Sequence, residues 1–362
     1  MSLELRLKKY CLTPAMSGFE DRMIKALQDD LREFVDEMRV DVLGNVIATI
    51  KGTASEGSDL MIFAHTDSLG MIVKAIDSNG FIRVERVGGV PERILAATNV
   101  IVQTEAGEII QGVIGFVSHH LTPPEDKYKV KPINECYVDI GATTAQEVTS
   151  AGIRVGSPVM YQPNFERLIN NRVAATTLDD RGGCAVLVEL AQHFYKNRPK
   201  VTLHIVGTVQ EEFNLRGAMV AAQQIKPTAA ISIDLVAASD TPDINIGNGV
   251  QVGAGPVVGT YTFHGRGTLN GLIPHPRLLA LVDDAAIKTK ISLQRHSTMG
   301  LLTDASYVQF VGKGVACVDL GWPTRYTHSG VEMCSLNDLE ALKNLLIRVV
   351  ETFPVEDNFS RG

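Results

Sequence analysis

The sequence has no uninterrupted apolar run of about 18 residues, the length that a membrane-spanning helix needs. The segment from Met1 to Tyr10 is charged and lacks the apolar centre of a secretory signal peptide. We therefore expect a cytoplasmic protein with no membrane partner.

Blocks of lysine or arginine are also missing, and the formal net charge is -7. A surface that binds nucleic acid needs clustered positive charge, so nucleic acid is not expected as a partner. No two cysteines form a C-x-x-C pair, and the five are odd in number and far apart. This spacing predicts buried free thiols rather than disulfides or a zinc–sulfur site. The cysteines are Cys11, Cys136, Cys184, Cys317 and Cys334.

A chain of 362 residues with 45% hydrophobic residues exceeds the usual size of one hydrophobic core, so two domains are expected. Residues 71–162 consist of short segments rich in valine and isoleucine, with one candidate short helix at 145–151. This pattern of short, β-branched segments predicts a small β-barrel or sandwich. We assign residues 1–72 and 163–362 to a catalytic domain and 73–162 to an inserted β domain that mediates dimerisation.

The remaining segments alternate between apolar strands and amphipathic helices, which predicts an α/β fold: a mixed sheet with helices on both faces. The short run Leu60–Ala64 is apolar throughout, as in a strand buried on both sides. The other predicted elements are two helices within 4–37, the second starting at Ser17 or Gly18, a hairpin at 40–50, strands at 201–209, 229–235 and 315–320, a helix at 217–225, and a helix at 339–353 preceded by a capping-box pattern at 335–338.

Candidate functional residues stand where these strands end, and ligands of open α/β sheets bind outside the carboxyl ends of strands. Each residue alone has a plain structural explanation. A histidine after a strand is more often structural, an Asp pair such as Asp179-Asp180 commonly caps a helix, and Glu-Glu is usually a surface pair. Together, imidazole and carboxylate groups on one sheet edge suit zinc or a related divalent ion. The set comprises His65, Asp67, Asp179, Glu211, Glu212, Asp234 and His328.

Four motifs resemble those of the TET aminopeptidases, dinuclear metallopeptidases that include glutamyl aminopeptidases. They are Ala64–Asp67 (AHTD), Thr177–Gly182 (TLDDRG), Val209–Ala218 (VQEEFNLRGA) and Arg325–Ser329 (RYTHS). The motifs follow the family's order and spacing across the whole chain. Residues 212–217 and 264–268 are most similar to a bacterial branch often linked to sugar-utilisation operons.

The resemblance implies that Asp179 bridges two divalent ions. His65 and Asp234 would complete one site, and Glu212 and His328 the other. Zinc or cobalt is expected, with manganese as a third candidate. Such a pair of ions activates water and polarises the scissile carbonyl.

Two further residues receive roles from the same resemblance. Asp67 would orient His65, and Glu211 would act as the general base that takes the proton of the water.

The sequence departs from the family pattern at two positions. Ser68 stands where glutamate is usual, and Asn214 replaces a glycine, which asparagine tolerates if the backbone is left-handed there. Several histidines receive no ligand role. His119 and His120 are expected in a surface loop, although the family has a histidine-containing loop at this place and such a loop could reach toward the active site. His264, His275 and His296 are expected as structural or pocket-lining residues. Residues 265–267 do not form a phosphate-binding fingerprint.

The expected function is metal-dependent removal of N-terminal residues from short peptides. The resemblance also implies a homo-oligomer, with dimers joined into a tetrahedral dodecamer. A deacylase or deblocking hydrolase on the same centre remains an alternative. A non-catalytic metal- or carbohydrate-binding scaffold is less favoured because Glu211 is present, and a glycosidase would need a carboxyl pair free of metal.

Overall fold

The computed structural model of the chain describes residues 1–54, 57–244, 249–265, 271–356 and 359–361. Its helices are α1 (Leu3–Cys11), α2 (Asp21–Leu31), α3 (Ala145–Ser150), α4 (Leu178–Lys196), α5 (Gly217–Ile225), α6 (Pro276–Thr289), α7 (Ala305–Val308) and α8 (Leu336–Thr352). Its strands are β1 (Glu37–Val40), β2 (Val46–Ile50), β3 (Asp59–His65), β4 (Gly70–Ile76), β5 (Ile82–Val87), β6 (Asn99–Gln103), β7 (Ile109–Ile114), β8 (Tyr137–Asp139), β9 (Pro158–Tyr161), β10 (Phe165–Leu168), β11 (Arg172–Ala175), β12 (Thr202–Thr208), β13 (Ala229–Ala237), β14 (Val257–Phe263), β15 (Gly271–Leu272), β16 (Gln294–Met299), β17 (Ala316–Arg325) and β18 (Glu332–Ser335).

Strand β3 lies in the middle of a large sheet and is buried on both faces. Leu60 and Ile62 pack into the main hydrophobic core, which also contains residues of α1, α2, α4, α6 and α8. Met61 and Phe63 point the other way, into a second core beneath α5 and α7. This alternation explains why the strand is apolar throughout.

The sheet is mixed, as predicted. Its main path runs β1-β2-β12-β3-β13-β17-β18-β11-β10, and β14, β15 and β16 extend from β17. The central strands β12, β3, β13 and β17 are parallel to their neighbours in that group. Antiparallel strands flank them on both sides. The carboxyl ends of the four parallel strands therefore meet at one edge of the sheet.

Between β3 and β10 the chain forms a closed barrel of six strands in the order β4-β5-β8-β7-β6-β9. The barrel has its own hydrophobic core, which includes Met71, Val84, Val100, Val138 and Val159. The predicted small barrel is confirmed. The domain boundaries at residues 73 and 162 and the role in dimerisation stay predictions.

The local predictions for the hairpin and the short helices are confirmed. Strands β1 and β2 pair antiparallel across the turn at Asp41, whose carboxylate accepts hydrogen bonds from the N–H groups of Leu43, Gly44 and Asn45. Helices α3 and α5 begin where expected.

Several predicted boundaries are wrong. Helix α2 begins at Asp21 rather than at Ser17 or Gly18, because Met16 and Phe19 pair in a β-bridge. Strand β17 continues five residues past Leu320. Helix α8 begins at Leu336, directly after its N-cap Ser335.

The predicted capping box at the start of α8 is also incorrect. Ser335 does accept a hydrogen bond from the N–H of Asn337. The carboxylate of Asp338, however, accepts hydrogen bonds from the N–H groups of Gly253 and Gly255 instead of returning to Ser335.

No described helix is both long enough and apolar enough to cross a membrane. All five cysteines are buried and unpaired, as predicted.

Candidate metal centre

The candidate ligands come from five different parts of the fold that meet at the carboxyl edge of the parallel strands. His65 is the last residue of β3, and Asp234 lies in β13, two residues past the final pairing with β3. Glu212 follows β12, and His328 lies in the turn between β17 and β18. Asp179 stands at the start of α4, where its backbone is not helical (φ -74°, ψ 108°).

Side-chain atoms of these five residues form two groups that share Asp179. Ligand atoms of His65, Asp179 and Asp234 lie within 4.8 Å of one another, as do those of Asp179, Glu212 and His328. Asp179 Oδ1 is 2.9 Å from His65 Nε2, and Asp179 Oδ2 is 3.6 Å from His328 Nε2. The two oxygens of one carboxylate thus face two different clusters, which is the arrangement of a bridging ligand.

The neighbouring Asp180 has the structural role that a helix-start aspartate commonly has. One of its oxygens accepts a hydrogen bond of 3.1 Å from the N–H of Gly183, which caps α4. The other accepts one of 3.0 Å from the N–H of His65. The adjacent acids therefore divide between a helix cap and the ligand cluster.

Asp67 contacts His65 and also accepts hydrogen bonds from three other residues. The Nδ1 atom of His65 is 3.1 Å from the backbone oxygen of Asp67 and 3.5 Å from its carboxylate. The same carboxylate accepts hydrogen bonds from the hydroxyl of Ser17 (2.5 Å) and from the N–H groups of Glu211 and Glu212 (3.1 Å each). A carbonyl acceptor at Nδ1 leaves Nε2 free to bind a metal ion.

The turn that carries Glu211 and Glu212 is left-handed at several positions. Gln210, Asn214 and Leu215 have φ values of 57°, 79° and 58°. Asparagine adopts this conformation more readily than most residues, so Asn214 suits the position. Ser68, the other departure, is buried and donates a hydrogen bond to the carbonyl of Ala15.

His328 is held by two groups that sequence reasoning missed. Its Nδ1 lies 3.0 Å from the carbonyl oxygen of Gly89, which belongs to the loop between β5 and β6. Its backbone N–H donates to Glu332 Oε1 at 2.7 Å, and the N–H of Asp179 donates to Glu332 Oε2 at 3.0 Å. In the sequence, Glu332 could have been noticed as an acid four residues after the proposed ligand His328.

The electrostatics of the centre reflect crowded, buried acids. Burial raises the pKa of Asp234 well above its usual range, and the Asp179 carboxylate raises it further. Burial also raises the pKa of Glu212 to about 7 and that of Glu211 well above its usual range. In His328 burial lowers the pKa, but the carboxylates of Glu212 and Asp179 outweigh this and raise the pKa to about 9.

The donor set suits divalent cations. Glu212 Oε1 is buried and has no hydrogen-bond partner among the described residues, a costly state that a bound cation would relieve. Two imidazoles and three carboxylates form the clusters, and these are ligands that zinc and related ions accept. A pair of ions that share Asp179 is consistent with this geometry.

A cavity of about 370 Å³ opens above the clusters. Glu211 lines it and belongs to neither cluster. Asp319, which the sequence reading also missed, lines it from β17. The signal was a lone acid within the strand predicted at 315–320. Apolar walls come from Phe213, Leu235, Val236, Leu301 and Leu320.

The five histidines for which no ligand role was expected belong to neither cluster. His264 and His296 line the cavity, and His275 precedes α6. His119 and His120 are exposed in the barrel, with their rings 5.8 Å apart. The expectation about a phosphate fingerprint at 265–267 concerns Arg266 and Gly267, which lie outside the described residues.

Comparisons with known proteins agree with this architecture. The family model described as M42 glutamyl aminopeptidase matches residues 44–345. The lysyl aminopeptidase of Pyrococcus furiosus is 35% identical over 338 residues, which cover 92% of each chain.

Two solved structures superpose over nearly the whole chain. The aminopeptidase APDkam598 of Desulfurococcus kamchatkensis has a TM-score of 0.90 at 34% identity and covers 97% of this chain and 95% of its own. The TET1 peptidase of Pyrococcus horikoshii, which can assemble into a tetrahedron or a large octahedral shell, has a TM-score of 0.85 at 30% identity and covers 97% and 100%. The chain belongs to the M42 glutamyl aminopeptidase family, as its motifs predicted.

Proposed function

We propose that this M42-family protein is a metal-dependent aminopeptidase that removes N-terminal residues from short peptides. The observation that carries the proposal is the placement of Asp179, whose two carboxylate oxygens face His65 and His328 on the floor of a cavity. Such a centre suits hydrolysis of an amide held above it.

The proposed ligands are His65, Asp179 and Asp234 for one ion and Asp179, Glu212 and His328 for the other. When bound, two divalent cations supply Lewis-acid polarisation of the scissile carbonyl and lower the pKa of water. Zinc and cobalt are the proposed ions, with manganese as the third candidate.

Glu211 is the proposed general base. It lines the cavity but lies outside both ligand clusters, so its carboxylate remains available to accept a proton from water and pass it to the leaving amine. Burial raises the pKa of Glu211, which makes its carboxylate a stronger base than an exposed one. Asp67 positions this base through the N–H of Glu211 and positions His65 through the contact with Nδ1.

Family membership alone does not identify the N-terminal residue that is removed. The family description is glutamyl, whereas the Pyrococcus furiosus relative is a lysyl aminopeptidase. A cavity of about 370 Å³ is within the range of sites that bind small ligands.

We also propose a homo-oligomer in which the barrel mediates dimerisation and the dimers assemble into a tetrahedral dodecamer. The support from this chain is a set of exposed apolar side chains on the barrel, since contiguous exposed apolar surface commonly marks a protein interface. They are Val113, Phe116, Val117, Leu121, Tyr128 and Val130, which are 42% to 97% exposed.

The central test combines metal removal with a choice of substrate. Chelated protein should lose hydrolysis of aminoacyl p-nitroanilides, and zinc, cobalt or manganese should restore it. Elemental analysis of the active form should approach two metal ions per chain. An active protein free of metal would contradict the proposal.

The same assay separates the peptidase from the deacylase. A free amino terminus should be required, so N-acetylated anilides should react far more slowly than free ones. Faster release from the acylated series would identify a deacylase or deblocking enzyme instead.

A further inference from the structure

We propose that Asp319 recognises the side chain of the first substrate residue and makes the enzyme selective for N-terminal lysine and arginine. The inference deepens the proposed aminopeptidase function and rests on it. It concerns the part of the cavity that lies outside the two ligand clusters.

Asp319 is a buried acid, and one of its two carboxylate oxygens has no hydrogen-bond partner among the described residues. The residue is 8% exposed and lines the cavity from β17. Its Oδ1 accepts a hydrogen bond of 2.7 Å from the hydroxyl of Thr303, which also lines the cavity. Its Oδ2 is buried and has no hydrogen-bond partner among the described residues.

A glycine leaves room beside this oxygen. Strands β14 and β17 pair antiparallel at Val258 and Leu320, which brings Gly259 next to Asp319. A Cβ atom at Gly259 would stand 3.2 Å from Asp319 Cβ and 3.6 Å from Oδ2. Because Gly259 also lines the cavity, the missing side chain leaves space in which a substrate group can approach Oδ2.

The charge of the residues that line the cavity favours a positively charged substrate side chain. The described residues that line the cavity include no lysine or arginine. The other acids of the lining are assigned to metal binding or to proton transfer: Asp179, Glu211, Glu212 and Asp234. Among the acids in the described part of the lining, Asp319 alone has no assigned role in metal binding or proton transfer. A second buried acid, Asp304, interacts with Asp319 electrostatically.

An unpaired carboxylate is costly to bury, and a paired one is much less so. The ammonium of lysine or the guanidinium of arginine would donate hydrogen bonds to Oδ2 and compensate its charge. The carboxylate of an N-terminal glutamate would be repelled. The apolar walls at Leu235 and Leu301 suit the methylene stem of a long basic side chain.

The same carboxylate could instead bind the α-ammonium group that every peptide substrate carries. The two roles differ in a measurable way. A side-chain contact affects basic substrates alone, whereas an α-ammonium contact affects all substrates equally.

The test uses p-nitroanilides of lysine, arginine, leucine and glutamate with metal-loaded wild type, Asp319→Asn and the control Asp284→Asn. Asp284 is an exposed acid on α6, paired with Lys288. Wild type should prefer lysine and arginine. Asp319→Asn should lower kcat/KM for both by about 10- to 100-fold, the range for losing a hydrogen bond to a charged group, and leave leucine unchanged. The leucine value also shows that the variant is folded.

The possible results separate this inference from the proposed function. Equal loss on all four substrates, or a wild-type preference for leucine or glutamate, would overturn the role of Asp319 and leave the aminopeptidase intact. Failure of the metal-loaded wild type to cleave any of the four anilides would overturn both.

Discussion

Glu332 accepts a hydrogen bond of 3.0 Å from the backbone N–H of Asp179, the residue that faces both ligand clusters. Its second oxygen accepts the N–H of His328 at 2.7 Å. One buried carboxylate therefore ties the start of α4 to the turn that carries His328. Burial raises the pKa of Glu332 to about 8. The contacts define Glu332 as a positioning residue for both ends of one ligand cluster.

Replacing Glu332 with glutamine should weaken metal binding more than turnover. An amide offers one acceptor oxygen where the carboxylate offers two, so one backbone N–H loses its partner. Partners that orient ligands typically contribute ~10- to 100-fold in metal affinity. We expect a loss of that size in a titration of apo-protein with zinc, and kcat near wild type at saturating metal. Glu166→Gln, at an exposed position on β10, is the control. Unchanged metal affinity would refute the positioning role.

Mutations of Glu211 and Glu212 should have different effects on metal content. Glu211→Gln keeps the shape of the side chain but cannot accept a proton, so both metals should remain while kcat falls by ~10²- to 10⁴-fold. Glu212→Ala removes a proposed ligand oxygen and should reduce metal content together with activity. Elemental analysis beside steady-state kinetics distinguishes the two. Loss of metal from Glu211→Gln would show that the role assigned to Glu211 is wrong.

A methyl group at Gly89 should disturb His328. A Cβ atom there would lie 2.8 Å from His328 Nδ1, so the ring must move. Activity at limiting zinc should fall by ~10- to 100-fold, as for the loss of an orienting contact, and excess zinc should recover part of it. Gly330→Ala is the matched control in the same turn, because its Cβ would meet Tyr161 at 4.0 Å. Equal behaviour of the two variants would contradict the expectation.

Selectivity for lysine over leucine should decline as pH falls through about 7. Burial raises the pKa of Asp319 to about 7, although the hydrogen bond from Thr303 opposes the shift. Above that pH the ionised carboxylate attracts a cationic side chain, and below it the protonated carboxyl does not. The measurement is the ratio of kcat/KM values between about pH 6 and 8, since this parameter reports the free enzyme.

Taking a ratio cancels the titration of the proposed metal centre, which affects both substrates. Asp304 and His296 also lie near this part of the cavity, and burial raises the pKa of Asp304 to about 7 while it lowers that of His296. The ratio for Asp319→Asn should therefore be measured in parallel and should be flat. A constant ratio in wild type would exclude the charge of Asp319 as the cause of selectivity.

An aspartate at Leu121 should yield smaller assemblies. Leu121 is 78% exposed on the barrel, and a charge there would be costly to bury in a contact between subunits. Light scattering of the purified protein should show loss of the largest species. Ile287→Asp, at a position 74% exposed on α6 outside the barrel, should assemble as wild type does. A wild-type monomer at assay concentration would contradict the proposed assembly.

The central strands and their functional ends could be predicted because the signals are local. Leu60–Ala64 is apolar throughout and is followed at once by His65, and Val201–Val209 is followed by Glu211 and Glu212. Strand, turn and side chain thus stand together in the sequence, and parallel strands bring their ends to one edge.

The contacts that hold these residues in place could not be predicted, because each joins distant parts of the chain. Ser17 reaches Asp67 across 50 positions and Gly89 reaches His328 across 239. Tertiary contacts also replace the predicted capping box of α8, where Asp338 accepts hydrogen bonds from the N–H groups of Gly253 and Gly255 rather than from the start of its own helix. Periodicity and capping patterns carry no information about such partners.

The carbonyl of Gly89 belongs to a loop of the barrel, yet it holds a candidate ligand of the sheet. A shift of the barrel against the sheet would therefore change a contact of His328. If subunits join through their barrels and ions bind as proposed, this contact would link the interface between subunits to the cluster that contains His328. The concentration of the protein would then act as an effector of its own metal content.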